Sequence, residues 1–97
     1  MKLWVDDLRP PPDETWTWLT CSFDAICAVA DARIANTTIT HMSLDHDLGD
    51  DDTTWPVVMW MWENDMWPDH ITCHSANPVG REWITGMIER YGPHGQR

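Results

Sequence analysis

Three short apolar segments of this chain each end in residues that can bind a cation, move a proton or hold an anion. The residues that follow them are Asp6-Asp7, Asp45-His46-Asp47 and the run from His74 to Asn77. If the apolar segments are parallel strands, all three groups lie at the carboxyl edge of one sheet, where open α/β sheets bind their ligands. The sequence therefore predicts one crevice that combines carboxylates, imidazoles and a helix N-terminus.

The carboxylates predict a metal site formed by Asp6, Asp7, Asp45 and Asp47. A hard divalent cation such as Mg²⁺, or Mn²⁺ in its place, takes oxygen ligands and retains water that a substrate phosphate can replace. The alternative is that one residue of each pair caps a turn while the other is solvated. A calcium-binding EF-hand is excluded, because the glycine comes one position early and Pro56 stands where the loop needs its last glutamate.

Two histidines are candidates for proton transfer. His46 and His74 follow neighbouring strands beside carboxylates, and the charge of an imidazole changes near neutral pH. One could activate water while the other protonates a leaving oxygen. His41 and His70 lie inside a predicted strand or at its far end, so we interpret both as structural.

The segment 75–81 has the features of an anion site. Ser75 or Asn77 can cap a helix, and the free N–H groups of a helix N-terminus attract phosphate, which Gly80 allows to come close. The guanidinium groups of Arg81 and Arg9 are predicted to clamp the phosphate. The alternative for Arg81 is a surface salt bridge.

Alternating and helical patterns predict the elements that position these residues. Strands are expected at 2–5, 16–20, 39–44 and 70–74, and helices from Ser22 to about 33, from 54 and from 77 to 91. The order β-β-α-β-α-β-α indicates an α/β fold with a mainly parallel sheet. The link between the first two strands is shorter than a usual parallel crossover, so the second strand is predicted to be antiparallel or an edge strand.

Each helix has a predicted buried face. The first buries a stripe that includes Phe23, Cys27 and Ile34, and the third buries Ile84 and its helical neighbours. The second is apolar nearly all round. Its sheet-facing residues are predicted to be Val57, Trp60 and Met61, and the residues left for a homodimer interface are Val58, Trp62 and Met66.

Composition limits the class of protein. The length allows one domain, placed at 1–92 with a tail at 93–97. The net charge of -10 argues against broad binding to a nucleic-acid backbone. The three cysteines make neither a disulfide framework nor a zinc motif, and Cys27 and Cys73 are interpreted as core residues. No signal peptide or membrane-spanning segment is recognisable, which favours a cytoplasmic location.

The chain resembles the cyclic-phosphate processing receiver-like domain family over nearly its whole length. The segments that carry the resemblance are LWVDDLRPPPD, TWTWL followed by SFDAI, MSLDHDLGDD and CHSANPVGR. The resemblance implies a trimmed receiver (flavodoxin-like) fold of three layers, with strands ordered 2-1-3-4. It also implies that Asp6, Asp7 and Asp45 take the places of the receiver's magnesium-binding and phosphate-accepting aspartates. The receiver's lysine has no counterpart, since Lys2 stands at the other end of its strand.

Three functions follow from these observations. The first is a metal-assisted phosphoesterase that opens cyclic phosphates of nucleotides or RNA ends, with Asp45, His46 and His74 in catalysis. The second is a module that binds a cyclic nucleotide or another phosphate ligand without turnover, with tryptophans stacking on the base. The third is an acidic, tryptophan-rich module that binds a protein partner.

Overall fold

The computed structural model of the chain describes residues 1–93. The elements in that part of the chain are β1 (Lys2–Val5), β2 (Trp16–Leu19), α1 (Ser22–Ala35), β3 (His41–Leu44), α2 (Trp55–Glu63), β4 (His70–Cys73) and α3 (Pro78–Tyr91). All neighbouring strands are parallel and the sheet order is β2-β1-β3-β4. The predicted α/β receiver-like fold, strand order and three helices are confirmed. Apart from Pro93, the predicted tail lies outside the described residues.

The second strand is a parallel edge strand, so the edge prediction is confirmed and the antiparallel alternative is wrong. The crossover from β1 to β2 occupies residues 6–15 and contains no helix. A parallel connection normally uses a dozen or more residues, most often with a helix that covers the sheet. In this chain a short loop with Pro10-Pro11-Pro12 takes its place, and that loop cannot be helical.

The hydrophobic core lies on one face of the sheet only. Alternate strand residues, including Leu3, Val5, Met42 and Leu44, form one buried cluster with residues from all three helices. The three-layer arrangement is therefore not what this chain adopts, because the helices share one face and no helix connects β1 to β2. The other face carries the alternate positions of the strands, which pair across the sheet in register: Lys2, Trp4, Trp16, Trp18, His41, Ser43, His70 and Thr72. We call these eight residues the open face.

The buried side of α1 differs from the prediction. The helix buries Ala25, Val29 and Ala32, whereas Phe23 and Ile34 are 64% and 85% exposed. Apolar residues occur nearly all round this helix, so periodicity does not select a face. The small alanines are the residues that allow close packing of α1 on the sheet and on α2.

Two other predicted positions need correction. Val58 of α2 is fully buried together with Val57 and Met61, so it contributes nothing to an exposed surface. Trp62 is exposed and Met66 is partly buried, and the predicted homodimer stays a prediction resting on those two residues. Cys27 is exposed, contrary to its predicted place in the core.

The start of α3 follows the predicted capping chemistry. Oδ1 of Asn77 accepts hydrogen bonds from the backbone N–H groups of Val79 and Gly80, at 3.1 Å each, and Pro78 occupies the first helical position. Ile84 is fully buried on the sheet side of the helix. In residues 1–93, no helix has the length and apolar character needed to cross a membrane.

The two isoleucines Ile84 and Ile34 provide a matched test of this packing. Ile84→Ala removes a buried side chain and should lower the free energy of unfolding by about 2–5 kcal/mol. Ile34→Ala removes an exposed side chain and should change it by less than about 0.5 kcal/mol. Urea denaturation of both variants measures the difference, and equal losses would show that the buried face of α1 has been placed wrongly.

Candidate functional site

The strand ends bring the predicted site residues together. β1, β3 and β4 end in register, so the first residues after them, Asp6, Asp45 and His74, emerge side by side. The N–H of Asp45 donates to the carbonyl of Val5 and that of His74 to the carbonyl of Leu44, at 2.8 and 2.9 Å. The sheet hydrogen bonding therefore continues into the site and fixes its backbone.

The Asp6 carboxylate is the most constrained group in the site. It is fully buried and accepts four hydrogen bonds. Oδ1 accepts from the backbone N–H groups of Leu8 and Arg9, both at 2.9 Å. Oδ2 lies 3.1 Å from Nε of Arg9 and 2.9 Å from Nε2 of His74. One carboxylate thus joins β1, the crossover loop and the end of β4.

These partners keep Asp6 ionised. Burial raises the pKa of the Asp6 carboxyl, but the hydrogen bonds from the backbone of Arg9 and Leu8 and from His74, together with the charge of Arg9, outweigh burial and lower the pKa below its ordinary value. A buried carboxylate that stays charged is a fixed negative charge beside the other two aspartates. Such a group attracts a cation.

Asp7 and Asp45 complete a three-carboxylate cluster. One oxygen of each of Asp6, Asp7 and Asp45 lies within 4.8 Å of the others. Among residues 1–93, Asp7 has no hydrogen-bond partner, and its carboxylate lies so close to Gly49 that a Cβ there would be 2.9 Å from Oδ2. Asp45 accepts a hydrogen bond from the N–H of His46 at 2.8 Å. This oxygen-only donor set fits a hard divalent cation.

Arg9 bridges two of these carboxylates. Its Nε lies 3.1 Å from Asp6 and its terminal Nη2 lies 3.4 Å from Asp45, while half of the side chain remains exposed. The guanidinium thus neutralises part of the cluster's negative charge. It lies where a cation shared by Asp6 and Asp45 would also bind, so the two compete for the same oxygens.

An open cleft of about 330 Å³ lies beside the cluster. Its lining combines acidic, basic, amide and hydroxyl groups: Asp7, Leu8, Arg9, Asp45, Asp47, Gly49, Ser75, Ala76 and Asn77. The hydroxyl of Ser75 accepts a hydrogen bond from the N–H of Asn77, so Ser75 is buried and oriented at the base of α3. Most of the predicted metal-binding and phosphate-binding residues therefore share one cleft.

His74 lies next to the cluster and is held on every side. Its Nε2 contacts Asp6, its Nδ1 lies 2.7 Å from the hydroxyl of Ser43, and its ring stacks on Trp4 with 4.0 Å between centroids. Both ring nitrogens already have partners. In this arrangement His74 orients the Asp6 carboxylate and connects it, through Ser43, to the hydroxyl of Thr72 on the open face.

His46 lies on the other side of the cluster, against α3. Its Nδ1 is 3.1 Å from Asp47, and its ring packs on Gly80, where a Cβ would lie 2.6 Å from Nδ1. Within residues 1–93, Nε2 of His46 has no partner. Asp47 itself accepts a hydrogen bond from Asn77, and this bond and the one to His46 lower the pKa of its carboxyl. Asp47 thus fixes Asn77 and lies outside the three-carboxylate cluster.

Arg81 is placed away from the cleft. It lines a larger cavity of about 590 Å³ along α3, which shares Ser75 and Ala76 with the cleft.

Two aspartates that follow Asp47 in the sequence, Asp50 and Asp52, lie outside the three-carboxylate cluster. Asp52 accepts hydrogen bonds from the N–H and hydroxyl of Ser22, the first residue of α1, whose N-cap is Cys21. Asp50 follows Gly49 in a turn with positive φ angles and is exposed.

Sequence reasoning missed three residues that support the site. Ser43 holds His74, Trp4 stacks on it and donates Nε1–H to the carbonyl of Arg9, and Trp18 donates Nε1–H to the carbonyl of Asp6. The alternation of strand residues contains the signal. Because side chains alternate along a strand, Trp4 lies on the same face of the sheet as Asp6, and Ser43 on the same face as Asp45. Both residues therefore lie next to the site.

Comparisons with known proteins identify one family. A model of the Cyclic-phosphate processing Receiver domain matches residues 1–90. No curated protein and no solved structure gives a significant match to the chain. The family match covers all seven described elements except the last residue of α3.

Alanine substitutions at two glycines of α3 test whether Gly80 holds the His46 ring in its position. Gly80→Ala places a methyl group inside the His46 ring and should displace that side chain, which nuclear magnetic resonance (NMR) shifts of the His46 ring would report. The Cβ added by Gly86→Ala meets no atom of residues 1–93 within 4 Å, so this variant should stabilise the helix by about 0.5–1 kcal/mol. If both variants leave the His46 shifts unchanged, His46 is not held by Gly80.

Proposed function

The chain belongs to the cyclic-phosphate processing receiver domain family, and from that membership we propose that it is a metal-assisted phosphoesterase that opens cyclic phosphates of nucleotides or RNA ends. The observation that carries the proposal is the cluster of Asp6, Asp7 and Asp45 beside a cleft that is lined by two of them and by Arg9 and Asn77. Oxygen ligands for a cation and donors for a phosphate thus stand side by side.

The carboxylates are the proposed metal ligands. Asp6, Asp7 and Asp45 would hold Mg²⁺ or Mn²⁺, which would neutralise the charge that develops on the phosphate oxygens. Arg9 is the cleft's own cation and would share that task by hydrogen bonding to the same phosphate. Ser75 and Asn77 also line the cleft and would orient the substrate. Arg81 lines the neighbouring cavity and not this cleft, so it would add only its positive charge to the electrostatic potential around the site.

Ring opening requires two proton movements. The oxygen of the attacking water forms a bond to phosphorus and loses a proton, while the bond to one ribose oxygen breaks and that oxygen gains a proton. Nε2 of His46 has no partner within residues 1–93, and His46 is the histidine proposed for proton transfer. His74 is proposed to act on Asp6, whose charge and orientation it fixes. The two histidines therefore have different proposed roles and do not act together as an acid–base pair.

Binding without turnover is the second candidate. It is favoured by the engagement of both His74 nitrogens and by the absence of both histidines from the residues that line the described cleft. Phosphorus NMR separates the two functions. We expect 2′,3′-cyclic or 3′,5′-cyclic nucleotides to convert to monoesters with Mg²⁺ or Mn²⁺ and to persist with chelator. Resonances that shift or broaden without product would favour the binding module.

His74 variants test its role. Loss of a residue that orients a metal ligand typically costs about 10–100-fold, so His74→Ala should lower kcat/KM by that factor. His74→Gln retains an N–H donor for Asp6 and should restore most of the activity. His41→Ala, at the far end of β3, should leave it unchanged. If His74 transfers a proton, the Gln and Ala variants should both lose about 10²–10⁴-fold.

A further inference from the structure

Trp18 links the open face of the sheet to the backbone of Asp6, one of the three clustered carboxylates. This side chain lies on the edge strand β2, beside Trp4 in the register of the sheet. Its indole N–H donates to the backbone carbonyl of Asp6 at 2.6 Å. The same residue therefore contributes its carboxylate to the metal-binding cluster and its carbonyl to Trp18. Trp18 does not itself line the cleft, so a ligand that contacts both must extend beyond the phosphate.

Trp18 differs from the other aromatic residues of the open face. Trp4 is stacked on His74, and Trp16 makes edge contacts with Trp4 and His41 and lies under the ammonium group of Lys2. No stacking partner of Trp18 is found among residues 1–93, and 43% of the residue is exposed. Its ring is nevertheless anchored through Nε1. An anchored aromatic ring with a free face loses little conformational entropy when a planar group stacks on it.

The charge of the surroundings limits what can stack there. The chain has a net charge of -10, and on the open face Lys2 is the one Lys or Arg. A polyphosphate or an extended RNA backbone would be repelled, because such ligands need a basic surface. A nucleobase is planar and uncharged, and in a single nucleotide one ribose connects it to the phosphate.

Given the proposed function, we infer that Trp18 forms a base-stacking subsite, so that the substrate is a nucleoside cyclic phosphate or the terminal nucleotide of an RNA. The phosphate occupies the cleft beside Asp6 and Arg9, and the base lies on the Trp18 ring. Recognition by stacking is tolerant of base identity, since every base has a π face. The subsite therefore selects for the presence of a base and discriminates little between bases.

The test compares two probes with Mg²⁺ present. They are adenosine 2′,3′-cyclic monophosphate and methyl ribofuranoside 2,3-cyclic phosphate, which has the same ring phosphate but no base. The quantity is the ratio of kcat/KM for the nucleotide to kcat/KM for the base-free compound, or of their association constants if neither is converted. Stacking on one aromatic side chain should make the wild-type ratio at least about fivefold.

Three variants complete the test. Trp18→Ala should bring the ratio towards one, and Trp18→Phe, which keeps a ring but loses the N–H, should retain part of it. Trp62→Ala removes an equally exposed tryptophan, at 43%, on α2 and should leave the wild-type ratio unchanged. A wild-type ratio near one, or a ratio that Trp18→Ala does not change, would overturn the subsite while leaving the phosphoesterase intact. Failure of the wild type to bind or convert either probe would overturn both.

Discussion

The buried carboxylate of Asp6 is the constraint on which the rest of the site depends. Burying a charged group is costly unless hydrogen bonds compensate, and Asp6 has four of them, three from the crossover loop and one from His74 after β4. Those bonds fix the start of the crossover loop, the position of Arg9 and the ring of His74. The carbonyl of Asp6 also anchors Trp18. Removing this one carboxylate would remove these contacts of the loop, Arg9 and His74, whereas the bond to Trp18 is made by the backbone of Asp6.

No helix lies between β1 and β2, and this explains why the open face of the sheet is left uncovered beside the site. A helix in that crossover would cover the face opposite the core, as helices do in parallel sheets with both faces buried. Here residues 6–15 form a loop, and the open face stays accessible beside the site. The loop is held by Asp6 and by the indole of Trp4, which donates to Arg9. The same ten residues therefore supply Asp6, Asp7 and Arg9 and leave Trp18 exposed.

The sequence was most informative where strands end. Parallel strands all end at the same edge of a sheet, so the convergence of Asp6, Asp45 and His74 could be predicted once the apolar segments were interpreted as parallel strands, and the register of the structure agrees. The capping of α3 by Asn77 was predictable for the same reason, because the side chain acts on its own backbone neighbours. Capping preferences and the positions of the strand ends therefore predicted most of the residues that line the cleft.

Choices between alternative packings could not be read from the sequence. In α1 and α2, apolar residues surround most of the helix, so periodicity does not show that Ala25 and Val58 are buried while Ile34 is exposed. The bridging position of Arg9 and the double engagement of His74 depend on distances between segments remote in sequence. The two-layer arrangement depends on where the crossover loop runs.

Opposite changes in metal affinity would test most directly whether the three carboxylates act as one cation site. The measurement is the dissociation constant of Mn²⁺, by electron paramagnetic resonance, for the wild type, Asp7→Asn and Arg9→Gln. Asp7 offers oxygens that have no other partner in the described part of the chain, so Asp7→Asn should weaken binding. Arg9 competes for Asp6 and Asp45, so Arg9→Gln should tighten it. Affinity that neither change alters would place the cation elsewhere and contradict the proposed site.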